Sequence, residues 1–210
     1  MKNSFFRSAA AMVLAAIVGL SAVSAQTEQV QDLSQIKIGN FGQMDERLYR
    51  GAQPEPGDYA SLAALGIKTI VDLRNDPTDY EKAAAEAQGM KYVNIPMSGW
   101  KYPDDEDVEA FMALMNNPET GKVYVHCKAG KHRTGLVGAV YRFNNYDWSY
   151  DQAYKEMKKY NYTSWPVHFN IKSYVKSYSK QYEKEKSRNA AAAARAAAVR
   201  TATATAGVAN

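Results

Sequence analysis

KVYVHCKAGKHRTGLVGAV, residues 122–140, decides how the rest of the chain is read. KVYVH has the composition of a buried strand, and HRTGLVGAVYRFNN that of a helix. Between them lies a short loop that holds Gly130, the bases Lys128 and Lys131, and, at its start, Cys127, the only cysteine in 210 residues. In an open α/β sheet, ligands collect beyond the carboxyl ends of strands, where loops feed helix N-termini. Such a loop turns backbone N–H groups inward and adds the positive end of the helix, which together make an anion site. Gly130 lets the backbone turn tightly and approach a bound group. Arg133, six residues after Cys127, reaches back to hold two phosphate oxygens with its planar fork. A thiol at the base of this cradle is stabilised as thiolate, and comparable settings lower a cysteine pKa to between roughly 3.5 and 7.5.

Outward from that junction, strand and helix signals alternate. LYRGAQP (48–54) reads as a short edge strand ending in a turn, and PGDYASLAALG as a helix that stops at Gly66. IKTIVDLR (67–74) suits a buried strand. PTDYEKAAAEAQG, from Pro77 to Gly89, has a helix's punctuation at both ends, and KYVNIPM (91–97) is the next strand. PDDEDVEAFMALMNN opens a helix at Pro103 with four acids in its first turns, where they suit the dipole. DWSYDQAYKEMKKY and a tyrosine-rich segment from Val167 to Glu183 complete the set, with Tyr174, Tyr178 and Tyr182 recurring at packing intervals. Alternation of this kind predicts an α/β protein, a three-layer sandwich around a central, mostly parallel sheet.

The ends separate from this domain. Residues 1–25 carry Lys2 and Arg7 without an acid, then an apolar run from about Ala9 to Leu20 and small residues up to Ala25. That is the pattern of a cleaved secretory signal peptide, too short in its apolar part to span a bilayer comfortably. The mature protein is therefore expected in the periplasm or secreted, without stable membrane insertion. From Lys184 the chain is Ala-rich and of low complexity. Alanine favours helix over Asn189 to Arg200, but nothing there builds a core, so residues 184–210 read as a mostly disordered tail. Residues 26–183 remain as one domain. They hold 19 basic and 21 acidic side chains, a net of −2, although the whole chain is +4. The excess of base lives in the ends, which argues against nucleic acid as a partner. A single cysteine in an exported protein has no internal disulfide partner, so its thiol is either inert or kept for chemistry.

The motif within HCKAGKHRTG resembles the H-C-x5-R-[ST]-G signature of cysteine-dependent protein tyrosine and dual-specificity phosphatases. LYRGAQP and LGIKTIVDLRND are likewise similar to the opening of compact dual-specificity enzymes, including exported bacterial and atypical plant and fungal members. The resemblance runs over roughly residues 48–160 and implies the cysteine-phosphatase fold. It implies a phosphocysteine intermediate on Cys127, transition-state binding by Arg133, and neither metal nor other cofactor. Lys128, Ala129, Gly130, Lys131, His132 and Arg133 would form the phosphate-binding loop. Thr134 can donate a hydroxyl hydrogen bond to the sulfur and help it leave in the second step, while His126 holds the loop.

The leaving group should receive a proton from a general acid. Relatives carry an aspartate in the loop before the helix that precedes the signature strand, and here that loop is SGWKY, with no carboxylate. Asp104 and Asp105, just past Pro103, are the nearest candidates; their other reading is as helix-start acids. Asp76 and Asp79 are alternatives after another strand. A site with no acid at all would favour substrates with good leaving groups. Lys128, Lys131 and His132 put positive charge around the cradle, and bases here resemble the loops of phosphoinositide and inositol pyrophosphate phosphatases. They suit a substrate with several phosphates, or simply raise phosphate affinity. The expected partner is thus a phosphorylated protein, with a polyphosphorylated small molecule as the alternative and a non-catalytic, phosphate-binding pseudophosphatase as the rival from another class.

Overall fold

The strand that carries the cysteine lies at the centre of the sheet. In a computed structural model describing residues 33–164 and 168–208, β1 (Gly42–Gln43), β2 (Leu48–Ala52), β3 (Ile67–Asp72), β4 (Lys91–Asn94) and β5 (Lys122–Cys127) form one sheet in the order β1-β2-β5-β3-β4. Only the β1–β2 pair is antiparallel; β5 runs parallel to both β2 and β3. The three parallel neighbours end together. Ala52 pairs with Cys127 and Asp72 with His126, so the loops after β2, β3 and β5 emerge side by side.

Residue alternation along β5 assigns the two faces of the sheet. Val123, Val125 and Cys127 pack into a core with α3 (Asp105–Asn116), α4 (Arg133–Tyr146), α5 (Tyr150–Lys159) and the first turns of α6 (Phe169–Val208). Tyr124 faces the opposite core, with Tyr59 and Leu62 of α1 (Tyr59–Ala64) and Ala85 of α2 (Glu81–Ala87). Helices therefore cover both faces of a mostly parallel sheet, the three-layer α/β architecture that the strand–helix alternation predicts. Fully buried Phe111, Phe143, Leu62 and Ile70 each contribute on the order of 1.5–3 kcal/mol by leaving water.

Three expectations change. LYRGA is not an edge strand: β2 is buried between β5 and the two-residue β1, which takes the edge instead. Of KYVNIPM, Lys91–Asn94 form strand β4, and Ile95 N still donates to Asp72 O at 2.9 Å before the chain leaves the sheet. The tail is not a disordered segment, because α6 continues without a break to Val208. Alanine loses the least entropy on becoming helical, and this stretch carries no proline. From Glu183 to Ala198 every residue is exposed, so the extension is held by propensity rather than by a packed face. The tyrosine stripe does pack: Tyr174 is buried in the core with Tyr178 and Tyr182 against it. The proposed signal peptide, residues 1–25, lies outside the described residues. Among those residues, no helix is long and apolar enough to cross a membrane.

Candidate active site

The loop 128–132 is held from outside by its carbonyl groups. Gln53 N donates to Lys128 O at 3.4 Å, Asn40 Nδ2 to Ala129 O at 2.7 Å, and Arg50 Nη2 to Gly130 O at 2.6 Å. Three successive carbonyls thus point away from the loop's interior, which leaves its N–H groups to turn inward around an anion. Arg50 is 1% exposed and lies beneath the loop with its guanidinium 4.0 Å from the Tyr160 ring. Gly130 sits at φ +65°, and a Cβ there would come within 2.3 Å of the Gly51 backbone. Any other residue would push the loop off β2.

Cys127 lies at the floor of this loop, 3% exposed and free of disulfide. Burial by itself would push its thiol up. The hydroxyl and backbone N–H of Thr134, the Arg133 charge and the Ala129 N–H outweigh it and hold the thiol below its ordinary value. The Thr134 hydroxyl is buried beside the sulfur, where it favours the thiolate, although it completes no well-formed hydrogen bond there. Arg133 opens α4. Its Nη1 donates to Leu73 O at 3.1 Å and Met97 O at 3.0 Å, with Asn75 Oδ1 at 3.3 Å. The carbonyls beyond β3 and β4 therefore aim the guanidinium.

A cavity of about 170 Å³ opens over the sulfur. Cys127, Lys128, Ala129, His132 and Arg133 line it from the loop side, and Gly99, Trp100 and His168 from across. Lys131 and Gly130 do not line it, and Gly130 is buried. His132 adds no positive charge near neutrality. Burial foremost, then the neighbouring His168, lower it to about 4, while its Nε2 lies 3.1 Å from Thr163 O. Trp100 and His168 were not singled out by sequence; His168 follows the strand-poor stretch after α5, where nothing in spacing marks it. Larger cavities exist elsewhere, including one of about 240 Å³ beside α6, but neither that one nor the one beside Trp148 is lined by a cysteine or an arginine.

Behind the loop, on the α1–α2 side, is a buried polar cluster. His126 Nε2 lies 2.9 Å from Glu81 Oε2, and its Nδ1 3.8 Å from Asp72 Oδ1, all three side chains being fully buried. Asp72 accepts from Arg74 N and the Tyr92 hydroxyl, and Glu81 from the hydroxyls of Tyr59 and Thr78. Burial pushes the Asp72 carboxyl up, with His126 opposing it. These are the residues that could hold a metal among those described, since their ligand atoms lie within 4.8 Å of one another. Each carboxylate oxygen already accepts a hydrogen bond, whereas neither buried ring nitrogen of His126 completes a well-formed one.

None of the four aspartates considered as acids lines the cavity over Cys127. Asp105 accepts from the Tyr174 hydroxyl at 2.6 Å and lines the 240 Å³ cavity instead. Asp104 is the exposed N-cap of α3, and neither lines the cavity over Cys127. Asp76 is exposed and paired with Arg74 at 3.0 Å, which holds its carboxyl below the usual range and makes it a poor proton donor. Asp79 is exposed. Asp104→Asn and Asp105→Asn are accordingly expected to cost under about 1 kcal/mol of stability through the α3 dipole. Turnover of alkyl and aryl phosphates should hardly change. A selective loss on the alkyl substrate in either variant would return that residue to the reaction.

A family model described as "DSP-PTPase phosphatase fused to NAD+ Kinase" matches residues 21–195. The dual specificity protein phosphatase TpbA of Pseudomonas aeruginosa (strain UCBPP-PA14) is 31% identical over 120 residues, covering 57% of this chain and 54% of that protein. Inositol diphosphatase DSP4 of Arabidopsis thaliana is 28% identical over 127 residues, 58% of this chain and 63% of its own. The matched region thus spans between half and two-thirds of these curated relatives. A crystal structure of P. aeruginosa TpbA superposes with a TM-score of 0.57 at 28% identity, covering 67% of this chain and 84% of that one.

Proposed function

We infer that this chain, which belongs to the family of DSP-PTPase phosphatases described as fused to NAD+ kinase, is a phosphomonoester hydrolase working through a phosphocysteine on Cys127. The observation that carries this reading is the set of outward-tied carbonyls at Lys128, Ala129 and Gly130, which turns a cradle of N–H groups toward a buried, acidified thiol. Phosphate binds in the cradle, and Arg133 takes two of its oxygens. The thiolate attacks phosphorus in line with the departing oxygen. Developing charge on the equatorial oxygens falls on fixed donors that need no reorganisation. Water then attacks the phosphocysteine, and the Thr134 hydroxyl stabilises the returning thiolate. The positive charge needed comes from the chain itself, so the reaction calls on no metal.

A phosphorylated protein is the favoured substrate, phosphotyrosine first. The cavity mouth is aromatic, with Trp100 72% exposed beside His168 and His132, and a flat phosphoaryl group suits such walls. Lys128 on the rim supports a second reading, a polyphosphorylated small molecule, in line with the inositol diphosphatase among its relatives. Phosphate release from phosphotyrosine, phosphoserine and phosphothreonine peptides and from inositol phosphates separates the two. Preference for the tyrosine peptide supports the first. Binding without release from any of them would favour the pseudophosphatase.

Export belongs to the same proposal. The mature protein in the periplasm or medium is expected to begin at Gln26 or within a few residues of it, because small side chains precede that bond. N-terminal sequencing that finds Met1 intact would contradict this.

A further inference from the structure

The cavity over Cys127 has no carboxylate in its wall, yet an alkoxide or phenoxide leaving group gains from a proton. Its titratable members besides Cys127 and Arg133 are Lys128, His132 and His168. Ammonium groups give up protons near neutrality far less readily than imidazolium. His132 is committed: its Nε2 is at 3.1 Å from Thr163 O and its ring is stacked on His168 at 3.6 Å. His168 is held in place but not used up. Its ring lies between His132 and Trp100, 5.8 Å from the indole with 25° between planes. Its Nδ1 is buried without a hydrogen-bond partner and the Gly99 backbone lies against the ring, so Nε2 is the nitrogen taken to serve the cavity. Asn170, two residues on, donates to Trp100 O at 3.1 Å and to Lys101 O. The Gly99–Lys101 loop and the start of α6 are thereby one frame that fixes the imidazole across from the sulfur.

We propose that His168 is the catalytic proton donor to the leaving oxygen, the role that an aspartate of the SGWKY loop would otherwise fill. The inference rests on the phosphocysteine reading above. As the Cys127 thiolate forms the S–P bond, the P–O bond to the leaving group breaks and its electron pair stays on oxygen. The His168 imidazolium transfers its Nε2 proton there, and a neutral alcohol or phenol departs. In the second step, neutral His168 takes a proton from the attacking water, the S–P bond breaks, and thiolate, imidazolium and inorganic phosphate are left. The groups facing His168 are Arg133 from α4, and Cys127, Lys128 and His132 from β5 and its loop; the Trp100 loop presents its backbone. Burial, then the Arg133 charge, disfavour the imidazolium in the free site, whereas a bound phosphate dianion favours it. The acid form is required, so the rate on an alkyl phosphate falls as pH rises.

The test compares His168→Phe, which keeps a ring between Trp100 and His132, with His168→Asn. A phosphoserine peptide and 2,4-dinitrophenyl phosphate serve as substrates. Both variants are expected to lose about 10²–10⁴-fold in kcat on the peptide and far less on the activated aryl ester, which departs without a proton. The alkaline limb of the peptide rate profile should disappear with the imidazole. Equal losses on both substrates, or no loss on either, would overturn the proposal, the first by making His168 a support for the loop. Cys127→Ser is run beside them: turnover of the aryl ester there would sink the phosphocysteine reading instead, whatever His168 does.

Discussion

Cys127→Ser is expected to abolish phosphate release while the protein still binds inorganic phosphate. The exchange is nearly isosteric at a side chain 3% exposed, so the loop keeps its shape and its N–H groups still meet an anion. What disappears is the nucleophile. The donors that hold the thiol below its ordinary value cannot bring a hydroxyl near ionisation at neutral pH, and an un-ionised hydroxyl attacks phosphorus far more slowly. Binding without turnover makes this variant a trap for the natural substrate. Retention of about a tenth of the wild-type rate would remove Cys127 from the centre of the reaction.

Arg133→Lys should cost nearly as much despite keeping the charge. One guanidinium nitrogen is tied back to the carbonyls of Leu73 and Met97, which leaves the rest of the planar fork aimed at the cavity. A lysine ammonium is a point charge with no second arm, so it either takes the carbonyls or meets the phosphate. The loss of one aligned donor to transition-state oxygens is worth about 10²–10³-fold in kcat. Binding of inorganic phosphate should suffer less than kcat, because the lost contact strengthens as equatorial charge builds. A near-normal rate would take Arg133 out of this role.

The sequence shows the site's floor and the fold around it for a physical reason: both are local. A β-branched strand, a turn glycine and a helix start lie within twenty residues, and alternation along β5 separates Val125 and Cys127 from Tyr124 and His126. What holds the loop is not local. Arg50 reaches Gly130 across 80 residues and Asn40 reaches Ala129 across 89, and neither pairing follows any period. In LYRGAQP, Arg50 has the look of a surface charge, as do Asp72 and Glu81, because a sequence does not reveal which charges have buried partners. The same blindness hid β1, two residues long, and so made an interior strand look like an edge. His168 was hidden because its place depends on α6 crossing back to the Trp100 loop through Asn170. The Ala-rich end departs in the other direction: lack of an apolar face argues for disorder, while backbone propensity alone carries the helix on to Val208.

A phosphoryl group carried by Cys127 can be caught by acid-quenching the enzyme during turnover of a phosphotyrosine peptide and sequencing its peptides by mass spectrometry. A phosphoryl adduct on the sulfur of Cys127 is expected, forming within the first turnover and decaying when substrate runs out. A phosphoryl group found on a histidine, or turnover that proceeds with Cys127 unmodified throughout, would contradict it.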